Sequence, residues 1–124
     1  MSEYIFEYID NDPLILVKLI NPLSGKEVEV YAYVDSGSDT IVITRELWDE
    51  LEIAMYERAN ISVVGGVITT WYTLLNVEII GDMYEDVIVF YQEEGDVLLG
   101  RTIIDYYVVT LDGVNSVLTI NKII

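Results

Sequence analysis

The amino-acid sequence predicts an all-β fold with one or two short helices. Three observations support this. Short apolar or alternating runs recur along the chain, clusters of Asn, Asp, Gly, Pro and Ser separate them, and one stretch alone has convincing helical spacing. With 124 residues, 52% of them hydrophobic, the chain suits one domain, residues 1–124, and has ample material for a core.

Taken in order, residues 13–20 (PLILVKLI) are a short apolar run closed by the turn formers Asn21-Pro22-Leu23-Ser24-Gly25. From Glu27 the chain alternates. Val28, Val30, Ala32 and Val34 share one face, with Glu27, Glu29, Tyr31 and Tyr33 on the other. Residues 27–34 therefore read as a half-buried strand, and the two runs as a hairpin. After Asp35-Ser36-Gly37-Ser38-Asp39-Thr40 comes a short strand, 41–43. Residues 44–56 (TRELWDELEIAMY) read as a helix, with Thr44 as N-cap, Glu46 in the first turn and Leu47, Leu51 and Met55 on one face. Trp48 on that helix reads as core or dimer packing. A second hairpin joins 61–64 to 67–72 through a Gly65-Gly66 turn. Strand 74–80 turns at Gly81-Asp82 and returns as 87–91, followed by an acidic loop, 92–96. Val97-Leu98-Leu99 leads into Gly100-Arg101 and one helical turn. Strands 107–111 and 117–120 follow, joined at Asp112-Gly113.

Charge and missing residue types narrow the function. Acidic side chains outnumber basic ones 22 to 6, for a formal net charge of -16. Such a surface repels phosphate backbones and anionic bilayers, so neither a nucleic-acid partner nor a membrane is expected. Cysteine and histidine are both absent. Their absence removes disulfides, Cys/His zinc sites, thiol nucleophiles and imidazole-dependent serine triads. Any catalysis must come from carboxylates, hydroxyls, lysines or arginines. The first 12 residues carry acids where a signal sequence needs positive charge, and the chain reads as cytoplasmic.

Asp35 ends an apolar strand inside a Ser/Gly turn, where a rigid element anchors its carboxylate. Taken alone, Asp-Ser-Gly also fits an ordinary Asx-type turn. Gly37 occupies the position where an EF-hand or an Asp-x-Ser-x-Ser magnesium loop needs a ligand, so neither ion site fits. No metal and no cofactor is expected. Leu98-Leu99-Gly100-Arg101 places its glycine 65 residues after Asp35, and Val63-Val64-Gly65-Gly66-Val67 lies between them.

This layout resembles the retropepsins, the retroviral-type aspartic peptidases and their cellular relatives. The family pattern is a hydrophobic residue with Asp-Thr/Ser-Gly-Ala/Ser, a glycine-tipped flap, then two hydrophobics and Gly, often with Arg. The resemblance covers about residues 28–111 and implies a small closed barrel-like acid-protease fold. It implies Asp35 as the catalytic residue, one per subunit, so that an active enzyme is a homodimer acting on peptide or protein substrates. Ser36 would then bond across the dyad, Gly37 would offer its carbonyl to substrate, and Ser38 would hold loop geometry. An Asp39–Arg101 ion pair would brace the loop. Val64, Gly65 and Gly66 would form the flap tip that holds an extended peptide, and Trp71 would line the cleft or join the core. Thr102 departs from the Asn or Asp common after Gly-Arg, and the 44–56 helix is longer than in compact retroviral enzymes.

The resemblance implies water activated between two Asp35 carboxylates, which share a proton because both cannot ionise cheaply at short range. That arrangement predicts activity favouring mildly acid pH. The alternative is a catalytically silent retropepsin-like module that dimerises or binds peptides. An unrelated small β-barrel, with the motifs coincidental, is a third reading. Segments 1–12 and 117–124 are the predicted dimer contacts, because the apolar end 119–124 needs burial.

Overall fold

Where apolar and polar residues alternate, the chain is strand, and the strands close on themselves. The computed structural model describes residues 2–123. In chain order its elements are β1 (Ser2–Glu7), β2 (Leu14–Ile20), β3 (Glu27–Val34), β4 (Ile41–Thr44), α1 (Arg45–Glu50), β5 (Glu57–Val63) and β6 (Gly66–Ile79). These are followed by β7 (Asp82–Gln92), β8 (Leu98–Leu99), α2 (Arg101–Ile104), β9 (Val108–Asp112) and β10 (Val117–Lys122). The all-β prediction with short helices matches this architecture.

The strands β2-β3-β8-β4-β7-β6 lie side by side, and β6 also pairs with β2, so the ring closes. Each barrel strand sends alternate residues inward: Ile15, Val17 and Leu19 from β2, Ile41 and Ile43 from β4, and Leu75, Val77 and Ile79 from β6 are all buried. The 14-residue β6 organises the ring. Its first half, to Tyr72, pairs with β5 as a projecting hairpin; its second half is barrel wall between β7 and β2. The sequence splits β6 at Thr73, yet Thr73 is paired with Val89 and the strand runs through. The hairpin loop is Val64-Gly65 rather than Gly65-Gly66, since Val63 pairs with Gly66. Gly65 takes the positive φ (96°) that the second loop residue requires.

The helix expected over residues 44–56 is cut to six residues. Three features end it. No basic residue occupies its last turn, while Asp49, Glu50 and Glu52 place negative charge at its negative dipole end. Glu52 turns left-handed at φ 53°. The β2–β3 turn then takes the free carbonyl: Asn21 Nδ2 and Ser24 Oγ donate to Leu51 O at 3.0 and 2.9 Å. Leu47 and Leu51 are buried as expected, but Met55 is exposed. Thr44 stands at the N-cap position without a side-chain capping bond. Trp48 is buried in the core rather than offered to a partner.

The ends of the chain form a second sheet, in the order β1-β10-β9. β1 was not visible in the sequence. It pairs with β10 from Ser2↔Lys122 to Glu7↔Val117. Leu118 and Ile120 join the core and β10 is the central strand, whereas Ile123 stays exposed, so within the chain the apolar end 119–124 is buried only in part. Met1 and Ile124, the outer residues of the predicted dimer segments, lie outside the described residues.

This sheet is tied to the barrel by a polar cluster. Tyr107 Oη donates to Asp82 Oδ2 at 2.7 Å and lies 2.6 Å from the Tyr84 hydroxyl, while Lys122 Nζ reaches Asp82 Oδ1 at 3.1 Å and Ile80 O at 2.6 Å. The Tyr107 hydroxyl, with Lys122 assisting, holds the Asp82 carboxyl below its ordinary 3.8, and burial of Tyr107 pushes the phenol well above its usual range. A carboxylate whose folded pKa is depressed adds stability that is present above 3.8 and lost as pH falls through the folded value. Urea unfolding at neutral pH and at pH ~3 is expected to show a smaller acid loss for Asp82→Asn than for wild type. Equal losses would remove Asp82 as the source.

Candidate active site

Asp35 follows the last residue of β3, and its own backbone continues the ladder. Its N–H donates to Leu99 O on β8 at 3.1 Å. Its carbonyl accepts from Ser38 N–H at 3.2 Å, and Oδ1 accepts from Gly37 N–H at 2.9 Å. The Asx-type turn is therefore real, and it fixes the carboxylate at the rim of the barrel. Asp35 is half-buried, whereas Ser36 and Gly37 are exposed. The second carboxylate oxygen and the neighbouring Ser36 hydroxyl thus sit on an outward-facing turn.

The rest of the loop is held from behind by α2. The first N–H groups of a helix lack internal partners. Here Arg101 N–H donates to Ser38 O at 2.8 Å and Thr102 N–H to Asp39 O at 3.0 Å. Ser38 Oγ closes the loop on itself by donating to Thr40 O at 2.8 Å. The Arg101 guanidinium pairs with the Asp39 carboxylate, and that carboxylate pushes the Arg101 pKa up. Both side chains are more than half exposed, so the pair orients the loop more than it adds to global stability.

Gly100 makes this approach possible. A methyl group at Gly100 would fall on Thr40 O, and would lie 2.6 Å from Ser38 O and 2.7 Å from Thr40 N. Those neighbours are backbone and cannot give way. The φ of Gly100 is an ordinary −93°, so crowding rather than torsion demands glycine here.

The structure thus gathers Asp35, Ser36, Gly37, Ser38, Asp39 and Arg101 into one loop-and-helix unit. Val64, Gly65 and Gly66 lie on the separate β5–β6 hairpin, whose tip is fully exposed. Trp71 is on that hairpin too, six residues beyond Gly65, which at ~3.3 Å per residue is about 20 Å along the strand. It is 37% exposed and packs edge-on to Tyr56 at 5.6 Å, at the base of the hairpin rather than in the core. Sequence reasoning missed Arg58, which lies over the Trp71 ring at 5.6 Å. The pairing Arg58↔Trp71 follows from the hairpin register, and register hangs on the turn. Among the described residues no cluster of carboxylates could hold a metal ion.

A closed barrel, a hairpin projecting from it, and an Asp-Ser-Gly loop locked by Gly-Arg form the retropepsin-like fold. Solved structures agree. The protease of EIAV, solved with an inhibitor, superposes at a TM-score of 0.62 with 20% identity, covering 78% of this chain and 88% of that one. A retropepsin-like aspartic protease from Rickettsia conorii superposes at 0.70 with 16% identity, covering 98% of this chain and 91% of that one. No family model and no curated protein matches the sequence.

Gly100→Ala is expected to cost about 3 kcal/mol or to prevent soluble folding, because overpacking here meets rigid backbone. Arg101→Gln is expected to leave the melting temperature nearly unchanged but to speed amide exchange over residues 37–40. A Gly100→Ala chain as stable as wild type would show that the two segments separate freely.

Proposed function

We propose that two copies of this chain form an aspartic endopeptidase in which each supplies one Asp35. The observation that carries the reading is the outward-facing, doubly braced Asp35 turn in a fold shared with aspartic proteases. A single chain offers one such carboxylate, and acid–base activation of water by aspartates needs one ionised and one protonated partner. Apposing two Asp35 turns about a two-fold axis supplies both.

In this reading the ionised Asp35 takes a proton from a water between the pair. The water attacks the scissile carbonyl, whose oxygen accepts a hydrogen bond from the protonated partner. The amine leaves with a proton from the dyad. Ser36 links the two turns, and the Gly37 carbonyl receives a backbone N–H of the substrate. The hairpin tip around Val64, Gly65 and Gly66 covers an extended peptide. Exposed Val63, Val64, Val67 and Ile68 near that tip favour apolar residues beside the cleaved bond. The silent-module reading rests on the same Asx turn, which by itself needs no catalysis to explain it.

The test is cleavage of a diverse peptide library between about pH 4 and 7, read by mass spectrometry for wild type and Asp35→Asn. Wild type is expected to cut between apolar residues, fastest below neutrality, and Asp35→Asn to lose at least ~10²-fold in rate. Sedimentation is expected to show a dimer for both. Dimers without cleavage would replace the enzyme with a binding module; a monomer under all conditions would remove the enzyme and leave only a module that binds peptides.

A further inference from the structure

Large apolar side chains gather on the outside of the barrel, beside the base of the β5–β6 hairpin. Leu23 of the β2–β3 turn, Met55 of the α1 exit, Leu74 of β6 and Ile88 of β7 are each between 43% and 75% exposed. They line one groove of about 570 Å³. Leu74 and Ile88 are direct partners across β6 and β7, so both point to this outer face. Single exposed apolar residues are ordinary, but a contiguous group in a groove edged by polar side chains marks an interaction surface.

The groove is held in shape. Thr73 Oγ1 donates to Met55 O at 2.7 Å, which ties the α1 exit to β6. Trp71 stands edge-on to Tyr56 at 5.6 Å and Tyr56 to Trp48 at 5.7 Å, so an aromatic row fastens the hairpin base to the core. Glu57 and Tyr72 are paired across β5 and β6 and line the groove at its hairpin end. The Tyr72 hydroxyl donates to Glu57 Oε2 at 2.7 Å. Among the described residues no basic side chain reaches this carboxylate, and its Oε1 accepts no hydrogen bond. The neighbouring Arg58 projects to the opposite face of the hairpin, with Trp71. Many carboxylates of so acidic a chain lack a cation. What distinguishes Glu57 is that one oxygen is pinned while the other stands free at the edge of an apolar surface.

We propose that this groove docks a peptide segment of a partner protein in which a basic residue is flanked by apolar ones. Glu57 Oε1 accepts from the cation, and the flanking side chains cover Met55, Leu74 and Ile88. Charge complementarity selects this occupant, because a net charge of -16 draws a cationic segment and repels a second copy of this chain. The apolar floor then discriminates among basic segments, since a carboxylate alone would hold any cation. None of these residues belongs to the loop-and-helix unit around Asp35, and docking here does not depend on the peptidase reading.

The probe is the blocked peptide acetyl-Gly-Leu-Arg-Leu-Gly-amide, beside one counterpart with glutamine for arginine and another with serine for both leucines. Each is titrated into the full chain at neutral pH and about 0.15 M salt, which screens diffuse attraction, and followed by backbone amide shifts. The arginine peptide is expected to saturate, with shifts centred on residues 23, 54–57, 72–74 and 88. Both counterparts are expected to bind about tenfold or more weakly, as is the arginine peptide to Glu57→Gln, which can keep the Tyr72 bond but not the charge. Met55→Ser, at an exposed position, is expected to weaken binding several-fold. Asp35→Asn is expected to bind as wild type, which separates this docking from the catalytic proposal. No saturation, equal binding of either counterpart, or undiminished binding by Glu57→Gln overturns the proposal; the last would assign binding to net charge alone. A monomer–dimer equilibrium that Met55→Ser shifts in sedimentation also overturns it, because a second copy would then occupy the groove.

Discussion

At Gly100 two backbone segments pass so closely that no side chain fits between them, and much of the molecule depends on that approach. Because the α2 end comes this near, its first N–H groups bond the carbonyls of Ser38 and Asp39. Because α2 is anchored there, the two residues of β8 reach between β3 and β4, parallel to one and antiparallel to the other. Without that wedge the barrel would be open at the rim that carries the Asp35 turn. The N–H of Asp35 would lose Leu99 O, and the turn that aims its carboxylate would lose its fixed end. A steric condition at one residue thus sets the position of a group 65 residues away in sequence.

Rigidity is unevenly distributed, and the division falls along β6. Its second half has a hydrogen-bonded neighbour on each side, whereas its first half carries only β5, whose outer edge has no partner strand among the described residues. Few buried contacts hold the hairpin tip, where Val64 is wholly exposed. Elements of this kind open at low free energy while the barrel stays closed. The aromatic row through Tyr56 and Trp71 marks where the stiff part ends, since it fastens the hairpin base to Trp48 in the core. The outer hairpin is thereby the part of the fold least fastened to the core.

Much of this was legible in the sequence because strands announce themselves through local alternation. The β2–β3 hairpin, the Asp35 turn and the Gly100-Arg101 step were all readable. What was hidden depended on partners distant in sequence. β1 does not read as a strand because its inward residues, Tyr4 and Phe6, gain their meaning only opposite Ile120 and Leu118. The helix at 44–56 was overextended because its end is set by Asn21 and Ser24, thirty and twenty-seven residues before the carbonyl they cap. For Trp71, the strand position was legible but its neighbour Arg58 was not, since the register that pairs them follows from a turn shifted by one residue.

The few cations act as fasteners between elements. Lys18 spans β2, β3 and β6, Lys26 reaches from the β2–β3 turn to the α1 exit, Arg45 joins α1 to the loop after β7, and Lys122 ties β10 to β7. Having been used internally, they leave little positive surface to attract a second copy at a net charge of -16. Association of two such chains must then rest on backbone and apolar contacts, working against repulsion that weakens only as carboxylates protonate. A pair of apposed Asp35 groups needs one proton for the same reason: adjacent negative charges are costly. In the proposed dimer, mild acidity would therefore favour both the approach of the copies and the protonation state that the proposed chemistry requires, so that one physical term would couple assembly to catalysis.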